Sequence, residues 1–263
     1  MISNSGADEH GRYSGGQAGD QTSKEWQVRQ WYSRPWSCIL RYPNPAVGYK
    51  LAELSRAAAL NDHIGYDQGQ RMTYLYELER VNWQPGMIRV DCEQDCSSGV
   101  IANTIAVGHL MGIDALKNIG KRATYTGNMR AAYRDAGFQV LTDGKYISSS
   151  RYLMPGDILL NDQHHVAVNL DIGVAAKNEQ IASDARKLSQ NPKWVGECTA
   201  SLLNVRSGPG TGYACIKEWP MLAKGNWIDV CDEVPAADGG LWYYIRIYGK
   251  YYGYVYSKYI KHI

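Results

Sequence analysis

The spacing of apolar residues changes once along this chain, and that change narrows the folds open to it. Over Pro45–Leu60 the apolar residues Val47, Leu51, Leu54 and Ala58 recur at helical intervals, one face of an amphipathic helix. Met72, Leu75, Leu78 and Val81 give a looser version. Two further helices are expected, one from near Cys96 through Gly108 and one over Thr126–Ala136. Beyond them the apolar residues come in short runs, Asp157–Leu160 (DILL) and His165–Leu170 (HVAVNL), which predict neighbouring antiparallel strands. Glu25–Tyr32 and Ser37–Tyr42 also read as short strands, and residues 1–24, rich in Gly and Ser, read as loop. Helices followed by strands predict an α+β domain.

After Gly173 the texture shifts. Residues 174–197 are polar and charged and read as a linker, with room for a short helix. From Cys198 to Ile263 strand-like segments alternate with turn signals at Ser207-Gly208-Pro209-Gly210, Ala223-Lys224-Gly225, Asp238-Gly239-Gly240 and Tyr248-Gly249-Lys250. That rhythm predicts a small β-barrel or sandwich. The expected organisation is therefore a domain over 1–173, a linker over 174–197 and an all-β domain over 198–263.

Charge and composition exclude several classes. Twenty-eight basic against 26 acidic residues, with no long basic run, do not suit a nucleic-acid partner. No apolar run reaches the roughly 18 residues of a membrane span, and Met1–Thr22 lacks the basic and apolar regions of a secretory signal. Six cysteines permit disulfides, yet a chain of this length does not need them, so reduced thiols are expected. Cys92 and Cys96 are separated by three residues, not the two of a zinc knuckle, and no metal or organic cofactor is implied. The aromatic set is skewed to Tyr (20) and Trp (8) over Phe (1), side chains that pair an apolar body with a polar tip and suit wet binding faces.

The strongest chemical signal is Asp95-Cys96-Ser97-Ser98 followed by Gly99 and an apolar run. A cysteine at a helix start meets free amide N–H groups and the positive end of the dipole, which favour its thiolate. A nucleophilic cysteine needs a base within hydrogen-bond reach, and His165, opening HVAV, is the first candidate, ahead of His63 and His109. Cys92 is the rival nucleophile, in an extended stretch with no helix start.

The ordered blocks DCSS, GDILL and HVAV resemble the NlpC/p60-type, papain-like cell-wall hydrolases and related phage amidases. The segments SGGQAGDQTSKEW, RQWYSRPW and NDHIGYDQGQR are similar to leaders of endolysins from phages of Gram-positive gut bacteria. The resemblance covers roughly residues 1–173. It implies a papain-like catalytic domain in which Cys96 is the nucleophile and His165 the base. The third group, which orients the imidazole in that family, has no clear place after HVAVNLDIG. Either Asp171 serves, or the N-terminal block supplies the missing strand in a permuted arrangement, with Glu25 as the orienter. Asp20, Gln21, Tyr66, Asp95 and Ser97 are the expected substrate-binding residues, and Asp67 and Gln68 are further candidates for the cleft wall. Residues 200–213 (ASLLNVRSGPGTGY) and the closing Trp242, Ile245, Tyr252, Gly253, Tyr254, Val255, Tyr259 and Ile260 are similar to bacterial SH3-like cell-wall-binding domains. Nine tyrosines in that segment are more than a small core hides, which favours a binding face.

Together these resemblances imply a monomeric endolysin that cleaves either the muramoyl–alanine amide or a stem-peptide bond such as D-γ-glutamyl–diamino acid. Its partner would be bacterial peptidoglycan, reached from the cytoplasm through a holin-type pore or with the help of an export leader absent from this sequence. The alternative is a wall-binding or adhesion protein with a degenerate hydrolase domain.

Overall fold

The computed structural model describes residues 1–236 and 240–263, with the side chains of 181–187 left aside. Asp238 and Gly239, part of one expected turn, lie outside the described residues. The chain divides into two compact units, Met1–Lys177 and Asn178–Ile263.

The first unit contains strands β1 (Ile2–Ser5), β2 (Trp26–Arg29) and β3 (Cys38–Arg41), then helix α1 (Pro45–Ala58). There follow β4 (Ile64–Tyr66), α2 (Thr73–Arg80), β5 (Cys92–Gln94), α3 (Cys96–Met111) and the short α4 (Asp114–Lys117). Next come α5 (Thr126–Asp135), β6 (Gln139–Leu141), the one-turn α6 (Gly144–Ile147), β7 (Ile158–Asn161), β8 (His165–Asn169) and α7 (Val174–Lys187), which runs into the second unit. The helices and strands expected from periodicity over residues 25–170 all form, with no end displaced by more than three residues. The strand in the Gly/Ser-rich segment, β1, was expected to be loop. It holds one fully buried apolar residue, Ile2, and is otherwise polar, so no alternation announces it.

Six strands form one sheet in the order β2-β1-β8-β7-β3-β6, antiparallel throughout. β1 thus sits between the second strand and the last. The register Ile2↔Asn169 and Ser3↔Val168 runs Asn4 toward the His165 end of β8. Side chains hold β1 in place: Trp26 Nε1 donates to Ser3 Oγ at 2.7 Å, and Ser3 Oγ donates to the Ser55 carbonyl of α1 at 2.9 Å. The α-amino group of Met1 pairs with Asp171 at 2.7 Å.

Alternation along β8 splits the packing. Val166 and Val168 join the main core with α1, α2 and α3, while Ala167 joins Ile2, Trp36, Ile39 and Leu159 in a second cluster. Helix α3 is buried continuously from Ser97 to Gly108, which explains why its sequence is apolar all round instead of striped. Its buried polar groups are paired: Asn103 accepts from Tyr74 at 2.6 Å, and Thr104 bonds the Tyr133 hydroxyl at 2.9 Å. Gly99, one turn into α3, has no room for a side chain. A Cβ there would lie 2.5 Å from Gln94 Oε1 and 2.9 Å from the Trp26 ring.

The second unit has a five-stranded antiparallel sheet, with β9 (Trp194–Cys198), β12 (Trp227–Pro235), β13 (Leu241–Ile247), β14 (Tyr251–Tyr256) and β15 (Ile260–His262) in the order β14-β13-β12-β9-β15. A separate pair joins β10 (Leu202–Asn204) and β11 (Met221–Ala223). The segment expected as linker is therefore structured. Its first part is the helix α7, and its end is β9, which pairs on both sides within the sheet, so the β unit begins before residue 198. A bulge in β12 between Val230 and Asp232 turns two successive side chains inward. Val230 packs with Ile228, Ile245 and Val255, and Cys231 packs with Trp242, Tyr244 and Tyr254.

Candidate active site

The local chemistry of Asp95-Cys96-Ser97-Ser98 builds a rigid helix start. Asp95 is the N-cap, and its Oδ1 accepts from the backbone N–H groups of Ser97 (2.9 Å) and Ser98 (2.7 Å). The Ser98 hydroxyl in turn accepts from the Asp95 N–H at 2.8 Å, completing a capping box. Arg71 braces this turn from outside, with Nε 3.0 Å from Asp95 Oδ2 and Nη2 donating to Ser97 Oγ at 2.9 Å. Asp95 thus claims two first-turn amides and leaves the N–H of Cys96 itself uncommitted to the cap.

His165 enters from β8. The hairpin before it is tight, with Gln163 in the left-handed region (φ 64°), and Asp162 is held by Ser37 and Arg130. His164 stays in the exposed turn, while His165 is 6% exposed. The His165 ring stacks against Trp36, with ring centres 6.1 Å apart. Its Nε2 lies 2.9 Å from Asn4 Oδ1, which also accepts from the Tyr32 hydroxyl at 3.0 Å. Because the amide oxygen only accepts, Nε2 carries the proton and Nδ1 is the basic nitrogen. Helix α3 packs against β8, and Cys96 and His165 are the opening residues of these two elements.

Both groups are neutral at rest. Burial pushes the Cys96 thiol up to about 12, and Asp95 beside it adds to the rise. The N–H groups of Val166 and Ser97 and the Arg71 charge oppose this only in part. The thiolate expected from a helix start is thus overridden by desolvation. His165 is pushed down to about 4, by burial first and then by the charges of Arg34 and Arg29.

Cys96 and His165 line one cavity of about 470 Å³. Tyr13, Tyr32, Tyr66, Arg29, Arg34, Asn4, Gln68 and Gln163 complete most of its wall. Of the expected binding residues, Tyr66 lines the cavity, while Asp95 and Ser97 form the cap beneath the thiol. Asp20 and Gln21 do not line it. The Asp20 carboxylate is consumed by the backbone N–H groups of Thr22, Lys24, Glu25 and Trp26, and the Gln21 amide folds back onto the Ala18 and Gly19 carbonyls.

Neither expected orienter partners His165. Glu25 is 1% exposed and accepts from the N–H groups of Tyr66 (2.8 Å) and Gln21 (3.3 Å), so it braces β4 against the N-terminal loop. Asp171 lies six residues past His165, about 20 Å along an extended chain, and binds the Met1 amine and Arg56 (2.8 Å). The residue that does reach the ring, Asn4, was missed because it sits in an unannounced strand. The permuted arrangement considered for the N-terminal block was the only hint.

The rival groups fall away. Cys92 is 1% exposed, donates to the His63 carbonyl and is pushed up to about 12 by burial. His63 pairs with Asp91 at 2.7 Å, and His109 stacks on Trp83 thirteen residues along α3, roughly 20 Å from the thiol by helical rise. All six cysteines are free thiols.

A second cavity, about 700 Å³, lies in the second unit. Asn204, Arg206, Trp242, Tyr256 and Tyr259 line it, and the buried Trp242 Nε1 has no hydrogen-bond partner among the described residues.

A thiol and an imidazole that line one cavity define a candidate acyl-transfer hydrolase. The family model of an endolysin-like domain matches residues 2–176. The chain belongs to the endolysin-like domain family, and so to the general class of phage cell-wall hydrolases. No curated protein and no solved structure matches it.

One titration separates Glu25 from a catalytic role. Burial, with Asp20 and Glu9 nearby, pushes its carboxyl up to about 7. Between pH 4.5 and 7 the unfolded chain releases this proton while the folded one retains it, so the folded state loses stability as pH rises. Glu25→Gln should raise Tm at pH 8 by about 2–4 °C and leave it almost unchanged at pH 4. Equal shifts at both pH values in thermal scans would contradict the burial argument.

Proposed function

We propose that the chain is an endolysin whose first unit is a papain-like, NlpC/p60-type cysteine hydrolase and whose second unit is an SH3-like wall-binding module. The observation that carries this reading is the Cys96–His165–Asn4 arrangement in one cavity. The Cys96 sulfur attacks an amide carbonyl of the wall peptide as its proton passes to His165 Nδ1. The imidazolium forms only at this step, and Asn4 Oδ1 holds the Nε2–H that makes the ring a one-sided base. The N–H of Cys96 at the helix start is the donor for the developing oxyanion. His165 then returns the proton to the leaving amine, and a water molecule, activated by the same nitrogen, hydrolyses the thioester.

Two bonds suit this chemistry, the muramoyl–alanine amide and the D-γ-glutamyl–diamino acid bond. Mass spectrometry of released fragments separates them: free lactyl-muramic ends mark the first, new amino termini on the diamino acid the second. The aromatic and polar lining of the second unit's cavity supports a wall-binding role for that unit. Holding the enzyme on its insoluble substrate raises its local concentration.

Cys96→Ala should abolish fragment release from purified peptidoglycan while leaving sedimentation with the wall intact. Release equal to that of the unaltered protein would refute the nucleophile.

The pair also fixes a pH signature. With His165 held near 4, kcat/KM should fall on the acid side with a midpoint near pH 4, well below an ordinary histidine. Asn4→Ala should lower kcat about 10²-fold, and Asn4→Asp should recover part of it. The added carboxylate should move the acid midpoint upward, because a negative neighbour favours the imidazolium. A midpoint that stays put in Asn4→Asp would show Asn4 to be structural only.

A further inference from the structure

The wall of the catalytic cavity is one-signed. Arg29 and Arg34 line it beside Cys96 and His165, and among the described residues no aspartate or glutamate does. Both arginines are exposed. Arg29 stacks over the Tyr32 ring at 4.7 Å, which aims its guanidinium without neutralising it. Neither arginine forms an ion pair among the described residues, although most other arginines of this unit do, for example Arg12, Arg41, Arg56, Arg71 and Arg130. Two unpaired cations facing one cavity repel each other and oppose any positive charge on His165, the charge that catalysis must create there. An anion bound between them removes both penalties. Guanidinium forks match a carboxylate's two oxygens, and the Tyr13 and Tyr66 hydroxyls at the same wall supply further donors.

We infer that Arg29 and Arg34 form a subsite for a free carboxylate of the substrate, so that the enzyme cuts wall peptide whose D-glutamyl α-carboxyl is ionised in preference to peptide in which it is a carboxamide. This inference rests on the wall-hydrolase reading above. In either candidate bond the D-glutamyl residue lies within one residue of the cleaved amide, so its α-carboxylate falls within reach of a cavity of this size. A carboxamide has the same shape but no charge, and it leaves the two guanidinium groups uncompensated.

The test uses the full-length protein on two preparations of one peptidoglycan, identical except that the D-glutamyl α-carboxyl is free in one and amidated in the other. The rate of release of new fragment ends is measured on each. The unaltered protein should favour the free carboxylate by about tenfold, the value of one charged hydrogen-bonded contact at a partly exposed site. In the double variant R29Q/R34Q this ratio should fall toward one, and in R29K/R34K, which keeps the charge, it should partly recover. Matching thermal transitions of the variants exclude unfolding as the cause. A ratio near one in the unaltered protein, or a ratio unchanged in R29Q/R34Q, overturns the subsite while cysteine hydrolysis stands. Release from C96A equal to that of the unaltered protein on both preparations overturns the hydrolase reading instead.

Discussion

The pairing of β1 with β8 is the constraint on which the site depends. β8 alone delivers an imidazole; β1 delivers the amide oxygen that fixes which nitrogen of that imidazole is basic. The short strand survives between two neighbours because each of its residues is tied down, Ile2 by apolar packing, Ser3 by Trp26 and Ser55, Asn4 by Tyr32 and His165, and Ser5 by Gln94. Its two ladders satisfy the backbone that would otherwise be costly to bury. A polar four-residue segment is thus more consequential than its composition implies.

The electrostatics of the site reflect competition between a helix start and a buried pocket. Free amides and the dipole favour sulfur as an anion, but each is worth little against desolvation. Asp95, the residue that caps α3, makes the competition more uneven, because its carboxylate stands next to the thiol and occupies two of the amides. The cap holds the sulfur in position rather than ionising it. On the proposed mechanism charge separation is deferred to the moment of attack, when the proton has Nδ1 to go to.

Much of the architecture was legible from spacing. The α1 stripe, the DILL and HVAV runs and the helix opening at Cys96 all formed, because helical period and strand alternation are imposed by the core that α1, α3 and β8 share. Cys96 and His165 were legible as a pair of residue types in order and share a cavity. What escaped were the features set by long-range pairing. Ile-Ser-Asn-Ser carries no pattern of its own, and β9 looked like linker because its Glu and Gly mask a strand buried by neighbours on both sides. Glu25 and Asp20 drew notice as acidic residues near the right place. Their carboxylates are spent on backbone amides, a use that sequence does not distinguish from a catalytic one.

The site is closed by a hydrogen bond between residues 161 positions apart. Bringing such distant segments together requires loop closure over nearly the whole first unit, which is slow and comes late. A ribosome-bound chain that has not yet emitted β8 holds the Cys96 side of the cavity without its imidazole, and a chain stripped of its first few residues loses the Asn4 oxygen that faces the ring.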